Sequence, residues 1–361
     1  MIKKFIKYFV ILVLLAGVIG LLACKTVNLY IEKTYGDVKA DASTKNDDFE
    51  ENKELLSKNE EMPDYDYDYQ NEFNPGEKLD RNIDRLDINS YSYVKNELTA
   101  LNTDFTVSDG VKNLLYQTIN NYKSYSSIYV IDMATGASFG YNVDQAYQTA
   151  SVIKSAYCLY IYKQVSLGNI NLDEEIPYTY NYYNSGTGTV KLSPVGTMYS
   201  IRDLIKLTVV YSDNVAYKML HGHFGVSGYN AMLDELGIKK LHLSLYNPWG
   251  LTDLRSMAMI WQEIYHFATE NSWGEEYLNL LSTNAYNYFK NTIPNISSAT
   301  KEGFTKDVTI SSGVLFGYHP MIVLASAKSS YDYSSYRQVK KLLPIINKII
   351  NEYTAYLVTK E

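Results

Sequence analysis

The sequence predicts an α+β fold, with one antiparallel sheet flanked by helices and an all-helical subdomain beside it. Three observations predict it. β-rich segments stand at both ends of the C-terminal body. The middle of that body reads as successive helices, and the chain closes on a long amphipathic segment. Strands at both ends around a helical middle bring the two ends into one sheet.

Taken in chain order, residues 1–24 come first. Lys3, Lys4 and Lys7 precede a run of uncharged, mostly apolar residues, Tyr8–Ala23. Lysines on that side keep the N-terminus in the cytoplasm and send the rest outward. From Phe5 the segment is just long enough to span a bilayer once. Alternatively, Leu21–Cys24, "LLAC", resembles a bacterial lipobox, after which Cys24 would be lipidated. Both readings tether the protein to the membrane through residues 5–24 and place the body on the outer side of a bacterial cell membrane.

Residues 25–104 read as an acidic, flexible tether. The stretch 38–78 has few aliphatic residues, many acids, and Pro63 and Pro75. Such a composition buries too little apolar surface to offset the entropy of ordering, and its charges repel one another. The formal net charge of −7 argues against nucleic acid as a partner. Two cysteines, Cys24 in the head and Cys158 in a helix, do not indicate a disulfide framework.

Residues 105–361 form the predicted body. Val111, Leu114, Leu115 and Ile119 fall at helical spacing within 111–122. Residues 127–133 and 137–142 read as a hairpin turned by "ATG". A helix starts near Ser151. Further helices are expected over 200–211, 214–224, 227–236, 252–270 and 274–285. Strands are expected over 297–303, 308–317 and 320–327, and a last helix over 332–356, with Pro344 a place for a kink.

Three short motifs carry the chemistry. In "SVIK", Ser151 and Lys154 stand three residues apart, on one face of a helix. Apolar neighbours would desolvate the lysine amine and favour its neutral form, which can take a proton from a serine hydroxyl. The same pair also fits a plainer reading, a helix-start serine and a lysine reaching for solvent. In Ser212-Asp213-Asn214 a hydroxyl could relay a proton and an amide could hold a substrate amide, or the three could simply cap a helix. On a strand, Lys301-Glu302-Gly303 offers a cation to a substrate carboxylate, with a glycine that lets backbones approach closely. An ordinary strand lysine is the alternative.

Ser-x-x-Lys, Ser-Asp-Asn and Lys-x-Gly, in this order, resemble the serine β-lactamase and penicillin-binding-protein superfamily. The stretches "TGASFGYNVDQAYQTASVIKS", "GNINLDEEI" and "SIRDLIKLTVVYSDNVAYKML" look like its class A β-lactamase-like branch. The resemblance implies a five-stranded antiparallel sheet and an acyl-enzyme on Ser151, with Lys154 as base or proton relay. Ser212 would pass a proton to the leaving nitrogen, and Asn214 would orient Lys154 and the substrate amide. Lys301, Glu302, Gly303 and Phe304 would face the substrate, the backbone N–H groups of Ser151 and Phe304 forming an oxyanion hole. No metal or other cofactor is implied.

Two departures stand out. Glu302 occupies a position where the family has Thr or Ser; ionised and facing the cleft, it would repel a substrate carboxylate. The family's Glu-x-x-Leu-Asn element, which activates the deacylating water, is missing: residues 237–252, "GIKKLHLSLYNPWGLT", contain no acid. The expectation is a serine hydrolase that deacylates slowly, acting on a β-lactam or a cell-wall-peptide-like amide. The alternative is a non-catalytic wall-binding or sensor module with the same fold.

Overall fold

The computed structural model describes residues 75–122, 125–290, 292–293, 296–329 and 334–360. The expected membrane segment, Cys24 and most of the acidic tether lie outside these residues. Among the described residues no helix is long and apolar enough to cross a membrane.

The body starts earlier than composition suggested. Residues 75–104, expected within the tether, are folded onto it. Ile88 and Leu98 are buried, and Leu79, Ile83, Leu86 and Tyr93 pack against the core. Arg85 pairs with the buried Glu263, which also pairs with Lys163. A few apolar anchors, ion pairs from Arg81 and Arg85, and hydrogen bonds between Leu86 and Gln262 hold this segment. An average over the whole acidic stretch hides them.

The same segment supplies β1 (Thr99–Leu101), an edge strand the sequence reading missed. After α1 (Asp109–Tyr122) come β2 (Tyr125–Asp132) and β3 (Ser138–Tyr141). Near the C-terminus stand β8 (Ser297–Phe304), β9 (Val308–Phe316) and β10 (Pro320–Lys328), followed by α8 (Ser334–Val358). The sheet therefore has six strands rather than five, in the order β1-β3-β2-β10-β9-β8, with every pair antiparallel. Chain ends meet at its centre, where Val130 lies opposite Val323. Three residues of "TAL" are too short a run to show a period, so β1 appears only through its pairing with Ser138–Gly140.

The sheet is covered on both faces, which explains why β9 is buried along its whole length. In β2, Ile128 and Val130 join the core under α1 and α8, while Tyr129 and Ile131 point into the helical side. α8 runs on through Pro344.

Between the two halves of the sheet the chain builds the helical subdomain. It contains α2 (Ile153–Ser166), α3 (Ile201–Val209), α4 (Asn214–Phe224), α5 (Ser227–Glu235), α6 (Leu254–Glu270) and α7 (Ser272–Ser282). Two small two-stranded sheets accompany them: β4 (Tyr147–Gln148) pairs with β7 (Leu251–Thr252), and β5 (Glu175–Pro177) with β6 (Met198–Ser200). α2 is buried on nearly every side, so its apolar residues show no stripe. Side-chain caps start α3, α6 and α7: Ser200 accepts from Asp203 N, Asp253 from Ser256 N and Asn271 from Trp273 N. Each such cap stabilises its helix by about 1 kcal/mol.

Candidate active site

The site forms where α2, the α3–α4 turn and β8 meet. Ser151 sits in a short 3-10 turn, Ala150–Val152, that leads into α2. Ala150 precedes it with φ of 45°, a left-handed conformation unusual for a residue with a side chain. β8 passes tightly against this turn. A Cβ on Gly303 would lie 2.9 Å from Thr149 O and 3.1 Å from Ser151 N, so only glycine lets the strand come this close. Gly303 thus serves the packing of strand on nucleophile turn, and it brings the Ser151 amide beside the end of β8.

Lys154 follows one turn later and is wholly buried. Its Nζ donates to Ser151 Oγ at 3.0 Å, Asn214 Oδ1 at 2.7 Å, Ser212 O at 2.6 Å and Ser212 Oγ at 3.2 Å. Burial, reinforced by the nearby Lys301 cation, pushes the Lys154 amine well below the ordinary lysine range. Ser151 and the desolvated Lys154 are thus in direct contact.

Ser212 and Asn214 lie on the turn that opens α4. Ser212 has φ of 56°, and the next residue, Asp213, caps the helix by accepting from Val215 N and Ala216 N. Its other oxygen accepts from Thr189 N and Val190 N at 2.6 and 2.9 Å, tying the turn to the loop before it. The capping reading therefore holds for Asp213, while Ser212 and Asn214 point at Lys154. Lys301 reaches Ser212 Oγ at 3.1 Å from the other side. Burial lowers its amine to about 8, opposed by the carboxyl of Glu302.

Glu302 departs from the expectation that it faces substrate. Along β8 successive side chains alternate, so with Lys301 and Gly303 turned to the nucleophile, Glu302 points the other way. It is buried, and its Oε1 accepts from Tyr288 N at 2.9 Å and from Ser311 Oγ at 3.4 Å. Oε2 is buried with no hydrogen-bond partner. Desolvation raises the carboxyl to about 8, well above the ordinary carboxylate range. It does not line the cleft.

The cleft is an open cavity of about 840 Å³ whose lining includes Ser151, Asn214, Phe304 and Thr305 together with residues 239–242, 247 and 249–251. No Asp or Glu is among its lining residues, in keeping with the acid-free stretch 237–252. Among the described residues no group of three or more His, Cys, Asp or Glu side chains could hold a metal ion.

Two lining residues were missed in the sequence. Asn184 Oδ1 accepts from Asn214 Nδ2 at 3.1 Å, fixing the Asn214 amide so that its oxygen faces Lys154. The "NSGTG" turn was a signal: a Cβ on Gly186 would come within 2.3 Å of Asn214 Nδ2. Trp249 stacks over the Lys154 amine, 5.5 Å from ring centroid to Nζ. Nothing in its local pattern marks it.

A model of the beta-lactamase enzyme family matches residues 107–354. The chain belongs to this family. The motif order had implied the same superfamily, and the match covers every sheet strand but β1, the helical subdomain and every motif of the site. A beta-lactamase from Sphaerobacter thermophilus is similar in structure, with a TM-score of 0.59 and 17% identity over 66% of this chain and 95% of that one. PBP-A is similar at 0.60 and 18%, over 66% and 96%. A beta lactamase from Xanthomonas campestris pv. campestris is similar at 0.60 and 15%, over 68% and 100%. At such identities the likeness is one of fold. Among curated proteins no match was found.

Proposed function

We propose that this member of the beta-lactamase enzyme family is an extracytoplasmic, membrane-tethered serine hydrolase. It acts through an acyl-Ser151 intermediate on a β-lactam or a cell-wall-peptide-like amide. The observation that carries this reading is the Lys154 amine, buried, depressed and 3.0 Å from Ser151 Oγ. A neutral amine there takes the Ser151 proton as Oγ attacks the acyl carbon. Ser212, held between Lys154 and Lys301, passes a proton to the leaving nitrogen. The N–H groups of Ser151 and Phe304 receive the developing oxyanion. Glu302 poses no obstacle, because it is turned inward onto the Tyr288 amide and away from the cleft. Release of the acyl group is slow, because no carboxylate stands in the cavity to activate a water.

A PBP-A variant has been solved as an acyl-enzyme complex with penicillin G, which recommends a penicillin as the first probe. Labelling the membrane-bound protein with a fluorescent penicillin and mapping the modified residue tests the reading. A stable adduct on Ser151 supports it; sustained fast turnover refutes slow deacylation. The acid-free cavity also fits a binding module that never turns over. Absence of any adduct with β-lactams and acyl-peptides decides for that reading.

A further inference from the structure

Lys154 Nζ meets its four oxygen partners on one side and an aromatic face, the ring of Trp249, on another. Lys154 is wholly buried, although Ser151, to which it donates, lines the open cavity. Trp249 lines that cavity too, and its ring lies over the amine, 5.5 Å from centroid to Nζ.

The ring is firmly held. Trp249 N donates to Asn247 Oδ1 at 3.0 Å. The indole packs on Tyr217 with centroids 5.1 Å apart, and Tyr217 OH donates to Pro248 O at 2.6 Å. The residues just after it are tied to the nucleophile's own segment: Thr149 N donates to Gly250 O at 3.1 Å, and Leu251 pairs with Gln148. Trp249 and the Ser151 turn are therefore parts of one local unit.

We propose that Trp249 is a positioning residue that bars water from the Lys154 side of Ser151 and so prolongs the life of an acyl-enzyme. This rests on the acyl-Ser151 reading above. To hydrolyse the ester, a water oxygen bonds to the acyl carbon while a base takes one of its protons. The bond from that carbon to Ser151 Oγ then breaks, Oγ receives the proton, and the free acid leaves. No carboxylate lines the cavity; its basic groups are the lining Lys239, Lys240 and His242, and Lys154 alone among the described bases is hydrogen-bonded to Ser151 Oγ, at 3.0 Å. A water served by it would have to stand against its amine, where the indole face lies. An ordered water needs two or more polar partners, and an aromatic face supplies none in that position. The missing acid and the indole thus act together, one by absence and one by exclusion.

The test follows loss of label from the full-length protein after a pulse of fluorescent penicillin, in wild type, Trp249→Ala and Trp249→Phe. Trp249→Ala should shorten the adduct's life at least about ten-fold, and the loss should quicken as pH rises and Lys154 becomes a better base. A structural defect that merely exposes the ester to hydroxide would give a loss that rises in proportion to hydroxide, without the plateau reached once Lys154 is neutral. Trp249→Phe, which keeps a ring but opens some space, should give a smaller shortening, and it decides alone where the alanine variant does not fold. Labelled wild type with equal lifetimes in the variants overturns the role of Trp249 and leaves acyl-Ser151 standing. No label on wild type overturns the acyl-enzyme reading, and this inference with it.

Discussion

Lys154 and Lys301 donate to the same oxygen: Ser212 Oγ lies 3.2 Å from one amine and 3.1 Å from the other. Two buried cations so close disfavour each other's charge, and Lys301 is the second cause, after burial, of the lowered Lys154 amine. One hydroxyl thereby connects the base beside the nucleophile to the cation on the sheet.

The first prediction concerns that coupling. Lys301→Met removes a positive charge beside Lys154, so the Lys154 amine rises toward its ordinary value. Less of it is then neutral at a given pH. The acid limb of the acylation rate should move to higher pH, read from penicillin-labelling rates between pH 5 and 9. An unmoved limb would show that Lys301 does not tune Lys154.

Loss of the base itself has a size. General-base catalysis contributes about 10²- to 10⁴-fold. Lys154→Ala should slow acylation of Ser151 by that order, and Ser151→Ala should abolish the adduct. Both are read by intact-protein mass after exposure to penicillin, with the melting temperature measured in parallel. Label retained by Ser151→Ala would place the nucleophile elsewhere.

Glu302 predicts a pH-dependent stability. Its carboxyl stands at about 8 in the folded protein against 4.5 when unperturbed. The folded state therefore keeps a proton that the unfolded chain gives up, and this contribution is complete below pH 4.5 and lost as pH rises through about 8. Lys301, lowered to about 8 from 10.5, titrates in the opposite sense above that pH. Glu302→Gln keeps a neutral group in the same space. Its melting temperature relative to wild type should climb between pH 5 and 8, by more than about 2 °C. A constant difference across that range would mean that Glu302 is ionised in the fold.

The domain boundary is testable by truncation. Removing residues 1–74 leaves Arg85, Ile88, Leu98 and β1 in place and should preserve the melting transition. Removing residues 1–104 uncovers the core next to Ile88 and leaves Glu263 with Lys163 alone. That loss should cost at least about 3 kcal/mol in denaturant unfolding. Equal stability of the two truncations would return residues 75–104 to the tether.

Much of this protein was legible in its chain. The order of strands and helices follows from local periodicity, and three motifs name Ser151, Lys154, Ser212, Asn214 and Lys301, because spacing along one helix or one turn is a local property. The acid-free stretch 237–252 was equally plain, since an absent residue type needs no structure to be seen. β1 was not legible, because a three-residue edge strand exists only through its partner β3. Nor was the direction of Glu302, which depends on how β8 lies against the Ser151 turn and on the Tyr288 amide that receives its carboxyl. Asn184 and Trp249 reach the site across 30 and 95 residues of chain from Asn214 and Lys154, contacts that no sequence period encodes. The sequence by itself determined which groups could do chemistry; the tertiary structure decided which of them face one cavity, because side-chain direction and burial are set by long-range packing and pairing.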